Sequence, residues 1–118
     1  MTWQRARRSY IFTAEAVAQF AALVGDRNPV HLDIQFAART PFGSPTVHGA
    51  FVASLLSAVL GEQLPGPGSI YLGQSLRFET PVFVGDSVIA SVEVVTVRTK
   101  CMRADGVRVI AGEATVMC

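Results

Sequence analysis

Apolar positions follow two rhythms along this chain. Through the first half they recur every three or four residues, as on a helix; beyond about residue 70 they alternate, as on a strand. Arg7 to Phe12 reads as a short first strand. Thr13 is placed to cap a helix from Ala14 to Val24, in which Val17, Phe20, Ala21 and Val24 share one face and which Gly25 ends. Asp26-Arg27-Asn28-Pro29-Val30-His31 then reads as a loop, because the residue before a proline is pushed out of the helical region. A short helix after Asp33 carries Phe36 and Ala37, and Thr40-Pro41-Phe42-Gly43-Ser44-Pro45 is a second loop.

The stretch Gly49 to Leu60 is apolar on every face, and Gly61 is its natural stop. A helix apolar all round must be surrounded. In a chain this small, only a curved sheet is large enough to do so. The remaining sequence supplies it. Ile70, Leu72, Leu76 and Phe78 alternate with Tyr71, Gly73, Ser75, Arg77 and Glu79; Val84-Gly85-Asp86 is a turn; Val88, Ala90, Val92 and Val94 keep the period. Ala104-Asp105-Gly106 is a hairpin signal before a last strand from Val107 to Met117. The order predicts an α+β fold, a curved antiparallel sheet around one long buried helix, as a single domain over residues 1–118.

Composition narrows the function classes. Half of the 118 residues are apolar, enough for a core and, more comfortably, for a second apolar surface against a partner subunit. A net charge of +1 provides no basic footprint for nucleic acid. Arg5, Arg7 and Arg8 cluster near the N-terminus, either as a solvated edge strand or as an attraction for an anionic substrate handle. Cys101 and Cys118 have neither CxxC spacing nor a neighbouring His, so no metal site is expected. The N-terminus carries no signal-peptide pattern, and the run from Ala50 to Leu60 is too short to span a bilayer. Free thiols in a reducing cytoplasm are the expectation.

Two places could carry chemistry. Asp26 and His31 share one loop stiffened by Pro29; a carboxylate and an imidazole held close can bind one water, take a proton from it and return a proton to a substrate. The plainer alternative is a turn in which Asp26 bonds local amides and His31 is merely exposed. His48 and Gly49 precede the apolar helix. Unpaired amides there carry partial positive charge, and a glycine lets a ligand oxygen approach, such as the enolate-like oxygen of a thioester under attack. Equally, Gly49 could serve tight packing and His48 be a spacer. Ser54 and Ser57 within the helix most simply bond back to the preceding turn.

Gly25-Asp26-Arg27-Asn28-Pro29-Val30-His31-Leu32-Asp33 resembles the signature of the (R)-specific enoyl-CoA hydratases, members of the MaoC-like dehydratase family with the hot-dog fold. Thr46-Val47-His48-Gly49, the Ser57-bearing helix, Leu64-Pro65-Gly66, Gly68-Ser69-Ile70-Tyr71-Leu72, Phe78 and Pro81-Val82-Phe83-Val84-Gly85-Asp86 are similar to that family in order and spacing, from about Ala14 to Val94. The resemblance implies that Asp26 and His31 activate the water that adds to C3 of a trans-2-enoyl-CoA, giving a (3R)-3-hydroxyacyl-CoA. It implies that the Gly49 amide polarises the thioester carbonyl, that Asn28 orders the loop, and that Ser57 lies in the substrate pocket with His48 and Phe51. Val52, Leu55 and Phe42 are further expected pocket residues. It implies a homodimer, with higher oligomers left open, and no metal or redox cofactor, since CoA belongs to the substrate. Arg77, Arg98, Lys100, Arg103 and Arg108 are the candidates for the CoA phosphates. Chain-length preference and pathway, whether polyhydroxyalkanoate synthesis or fatty acid metabolism, stay open.

One departure stands out. Between Asp86 and Gly112 the chain is shorter than the family pattern by roughly a strand's worth of residues, so either a hairpin is clipped or a strand is missing. That shortening motivates a rival reading, a non-catalytic hot-dog subunit that binds acyl thioesters or pairs with a catalytic chain. A closer rival is a 3-hydroxyacyl-carrier-protein dehydratase.

Overall fold

A computed structural model of the chain describes residues 4–94 and 98–117, the side chains of 94, 98 and 117 excepted. In chain order the elements are β1 (Gln4–Ile11), α1 (Ala14–Val24), α2 (Pro29–Leu32), α3 (Ile34–Ala38), α4 (Gly49–Glu62), β2 (Ile70–Phe78), β3 (Ser87–Val94), β4 (Arg98–Arg103) and β5 (Arg108–Met117). The strands form one antiparallel sheet in the order β1-β3-β4-β5-β2. All five are present, and only residues 95–97 separate β3 from β4. A connection this short is what the clipped-hairpin alternative expects.

Local chemistry sets the boundaries. The Thr13 hydroxyl accepts the Ala16 N–H at 3.1 Å and opens α1, and Gly25, at φ 85°, closes it. The expected loop from Asp26 to His31 is interrupted by the single turn α2. Asn28 takes an extended conformation, as a residue before proline should, and becomes the cap, its side-chain oxygen accepting the Val30 N–H at 3.2 Å. Pro29 sits at the first helical position, where a missing N–H costs nothing. Asp33 caps α3 through the amides of Gln35 and Phe36. Gly61 does not stop α4, which runs to Glu62; the chain leaves at Pro65 and Gly66, where the Gly66 N–H donates to the Leu60 carbonyl at 2.9 Å.

The core lies between α4 and the sheet. Val52, Leu55, Leu56, Val59 and Leu60 of α4 meet Val88, Ala90 and Val92 of β3, Cys101 of β4 and Val109 and Ile110 of β5, with Phe12 closing one end. The helix is not surrounded, contrary to the sequence expectation. Ala50, Ser54, Ser57 and Gly61 are exposed along one stripe, opening a groove towards β2. Small side chains expose little apolar area there, so the cost within one chain is modest. Ser54 bonds back to the Phe51 carbonyl, as serines in helices commonly do.

The two sheet edges differ. On β1, Arg5, Arg7 and Arg8 are exposed, which fits the solvated-edge reading. On β2, Ile70, Tyr71, Leu72, Leu76 and Phe78 are all exposed, so the alternation seen in sequence does not sort this strand into a buried and a wet face.

Cys101 is fully buried, and burial pushes its thiol up to about 12. Cys118 lies outside the described residues. Because the folded-state value lies above the unfolded one, the contribution of Cys101 is intact below about pH 9 and is lost as pH rises towards 12. Urea unfolding from pH 8 to about 10.5 should show stability falling faster with pH in the native chain than in Cys101→Val, by at most about 1.4 kcal/mol per pH unit. Equal slopes would contradict the buried thiol.

Candidate active site

The segment before α4 is clamped on two sides. The Thr46 N–H donates to the Val30 carbonyl at 3.2 Å, the Val47 N–H to the Val82 carbonyl at 2.7 Å, and Thr46 pairs with Phe83 in a short β-bridge. This clamp brings the N-terminus of α4 against α2, and so brings together residues far apart in sequence.

His31 is oriented by that clamp. Its Nδ1–H donates to the Thr46 carbonyl at 2.7 Å, with the Thr46 hydroxyl 3.4 Å away. The carbonyl can only accept, so Nδ1 carries a proton, and in the neutral ring Nε2 keeps the lone pair. Asp26 is exposed, and its Oδ1 accepts the Asn28 N–H at 3.2 Å, which fixes the carboxylate at the head of the turn. A carboxylate oxygen of Asp26 and ring nitrogens of His31 and His48 lie within 4.8 Å of one another. No direct ion pair joins Asp26 to His31 among the described residues. A water making two hydrogen bonds of ordinary length spans about 4.5 Å. A separation under that ceiling, without a direct ion pair, leaves room for one bridging water.

The trio is poorly arranged for a metal ion. The rings of His31 and His48 stack with centroids 3.8 Å apart and planes at 30°. Ligand lone pairs lie in the ring plane and must converge on an ion, whereas stacked rings direct theirs side by side.

A cavity of about 770 Å³ opens beside His31, its wall including Asn28, His31, Phe42, Gly49, Val52 and Phe78, while Asp26 lies behind that wall, reached only across His31 and Asn28. Gly49 is the first residue of α4, so its N–H has no helical partner and can face a ligand. The Phe51 and Val52 amides, by contrast, bond back to the His48 carbonyl. A Cβ on Gly49 would lie 2.8 Å from the Phe78 ring, so the glycine leaves room for both the ring and an incoming oxygen.

Three sequence candidates lie elsewhere. His48 is only 2 % exposed and sits behind His31, outside the cavity wall. Phe51 packs into an aromatic cluster with Phe12 and Phe20. Ser57 faces the groove between α4 and β2. Of the basic candidates, Arg108 pairs with Glu79 at 2.9 Å and Arg103 with Asp105 at 3.1 Å, while Arg77 and Lys100 line a separate polar groove. The Arg98 side chain is outside the described set. Sequence reasoning missed Thr46 and Phe78 as site residues, although both fall within segments that carry the family resemblance.

Comparison with known proteins decides the relationship. The sequence pattern of the MaoC like domain matches residues 2–115. The chain belongs to the MaoC-like family. It is 53 % identical to the (R)-specific enoyl-CoA hydratase of Aeromonas caviae, over 96 % of this chain and 91 % of that protein. It is also 56 % identical to the 3-hydroxybutyryl-CoA dehydratase of Methylorubrum extorquens, over 66 % of this chain and half of that protein. Among solved structures, the A. caviae (R)-hydratase involved in PHA biosynthesis superposes with a TM-score of 0.91 at 52 % identity, covering 96 % of this chain and 92 % of that one. The Pseudomonas aeruginosa R-hydratase PhaJ1 gives 0.92 at 38 % identity, covering all of this chain and 81 % of that one. The sheet and α4 thus form the hot-dog fold of this MaoC-like family.

Gly49→Ala should fold, since the exposed Phe78 ring can swing away, yet should crowd the cavity at its polar end. We expect kcat/KM on a short enoyl thioester to fall by about 10²-fold with little change in melting temperature. Unchanged kinetics would remove the Gly49 amide from the site.

Proposed function

We propose that this MaoC-like chain is an (R)-specific enoyl-CoA hydratase, adding water reversibly to a trans-2-enoyl-CoA to give the (3R)-3-hydroxyacyl-CoA. The observation that carries this reading is the water-sized gap between the Asp26 carboxylate and the His31 ring, beside a cavity that also holds the Gly49 end of α4. The His31 lone pair and the carboxylate both accept hydrogen bonds, so a water between them turns its oxygen lone pairs outward. One O–H bond breaks to the pair, the oxygen bonds to C3, and the pair returns a proton to C2; atoms balance without any other reactant. The charge that builds on the thioester oxygen is met by the Gly49 N–H and the positive end of α4. No metal or redox group has a step to perform.

We propose further that the active form is a homodimer. Among the described residues the β2 edge is unpaired and apolar, next to the groove floored by Ala50, Ser54 and Ser57. The radius of gyration is 14.9 Å, against about 13.5 Å for a compact chain of this length. Both features suit half of a larger body, with a second copy covering β2 and closing the groove. Among the described residues no helix is long and apolar enough to cross a membrane, and a reducing cytoplasm suits the buried free Cys101.

The test is hydration of crotonyl-CoA by the purified chain, followed by loss of the conjugated thioester's absorbance and by chiral analysis of the product. We expect turnover by the homomer alone. Asp26→Asn and His31→Ala should each lose about 10²–10⁴-fold in kcat while staying folded, and the double variant should be little worse than the poorer single one. Full turnover in both single variants would remove the pair from the mechanism. Absence of turnover in the native homomer would favour the binding-subunit rival, and preference for carrier-protein substrates would favour the dehydratase. Light scattering should give twice the chain mass, and Leu72→Lys on β2 should give the mass of one chain; a monomeric native protein would contradict the dimer.

A further inference from the structure

His48 touches three parts of the site without entering it. Its Nε2–H donates to the main-chain carbonyl of Asp26 at 3.0 Å. Its ring stacks on His31 at 3.8 Å, and on another side meets Phe20 at 4.9 Å, which itself stacks on Phe51 at 4.6 Å. Its backbone is the N-cap of α4, and its carbonyl receives the Phe51 and Val52 amides, leaving the neighbouring Gly49 amide for a ligand.

We propose that His48 is a positioning residue, setting the distances among the Asp26 carboxylate, the His31 ring and the Gly49 amide. Asp26 is exposed and lies on a turn, so something must hold its main chain; the side-chain tether to its carbonyl is the Nε2–H of His48. His31 can rotate about its Nδ1 hydrogen bond unless a flat surface backs it, and the His48 ring is that surface. The buried Nδ1 of His48 has no hydrogen-bond partner among the described residues. An unsatisfied buried nitrogen costs stability, and an apolar ring in its place would avoid that cost. The cost fits a residue kept for its geometry. With Nε2 committed to a carbonyl, the neutral His48 ring has its lone pair on Nδ1, the tautomer opposite to that of a neutral His31.

This inference rests on the Asp26–His31 reading, and two measurements separate the two. The first compares variants on crotonyl-CoA. His48→Phe keeps a flat ring and loses the donor; His48→Gln keeps a donor of similar reach and loses the ring. We expect kcat to fall about 10²-fold in His48→Phe with KM within about threefold, and His48→Gln to recover about a tenfold share of the loss. Native kcat in folded His48→Phe would overturn the proposal, as would a loss confined to KM. The second needs no variant and no turnover. Long-range ¹H–¹⁵N spectra of the native protein near neutral pH should show His48 as the Nε2–H tautomer and His31 as the Nδ1–H tautomer. A His48 with its proton on Nδ1 cannot hold the Asp26 carbonyl, and that result would overturn the proposal even if both variants fail to fold. A native chain inactive on enoyl-CoA but with the expected tautomers would sink the hydratase reading and leave the tether standing.

Discussion

The site depends on one hydrogen bond, from the His31 Nδ1–H to the carbonyl of Thr46. In the neutral ring it fixes which nitrogen keeps a lone pair and where that lone pair points. The acceptor is a backbone carbonyl, which cannot switch roles, so the tautomer is set by the fold. The carbonyl is itself held by the short bridge to Phe83 and the bond from the Val47 amide to Val82. The approach to β3 thereby determines the chemistry of a residue more than fifty positions earlier. Asp26 needs a gentler constraint, a turn amide on its carboxylate and a tether on its carbonyl.

Rigid and open regions divide the labour. The face of α4 that carries Leu56, Val59 and Leu60 is packed without exposure against β3, β4 and β5 and anchors the helix axis. Its opposite face is small and open, and its N-terminal end is left free of a side-chain cap. A capping serine or aspartate at that end would compete with the substrate oxygen for the same amides. The apolar character of α4 along its whole circumference is therefore only partly a demand of the single chain; the remainder suits a groove and a second subunit.

Much of this was legible from residue types. Thr13 and Gly25 bound α1 because capping is local, and Asp33 starts α3 for the same reason. Residue types alone favour a plain turn at Asp26 to His31, and it is the family resemblance that singles out the pair; the loop expected there gives way to α2, which Asn28 and Pro29 together begin. What escaped was tertiary. Gly61 predicts a stop by residue type, yet a glycine inside a helix costs only about 1 kcal/mol, well within what the packing of α4 supplies. The acceptor for His31 is a main-chain atom, which no residue type advertises. The place of His48 follows from two rings stacking across seventeen positions of chain, and alternation along β2 predicts a half-buried strand where the fold leaves its apolar side chains exposed on both faces.

The claim on which the rest turns is that Asp26 and His31 hold one water between them. A crystal structure at high resolution, without substrate, tests it directly. It should show an ordered water within about 3.2 Å of both the Asp26 carboxylate and His31 Nε2, open on its remaining side to the cavity. A direct Asp26–His31 ion pair, or side chains turned apart with no shared water, would contradict the account.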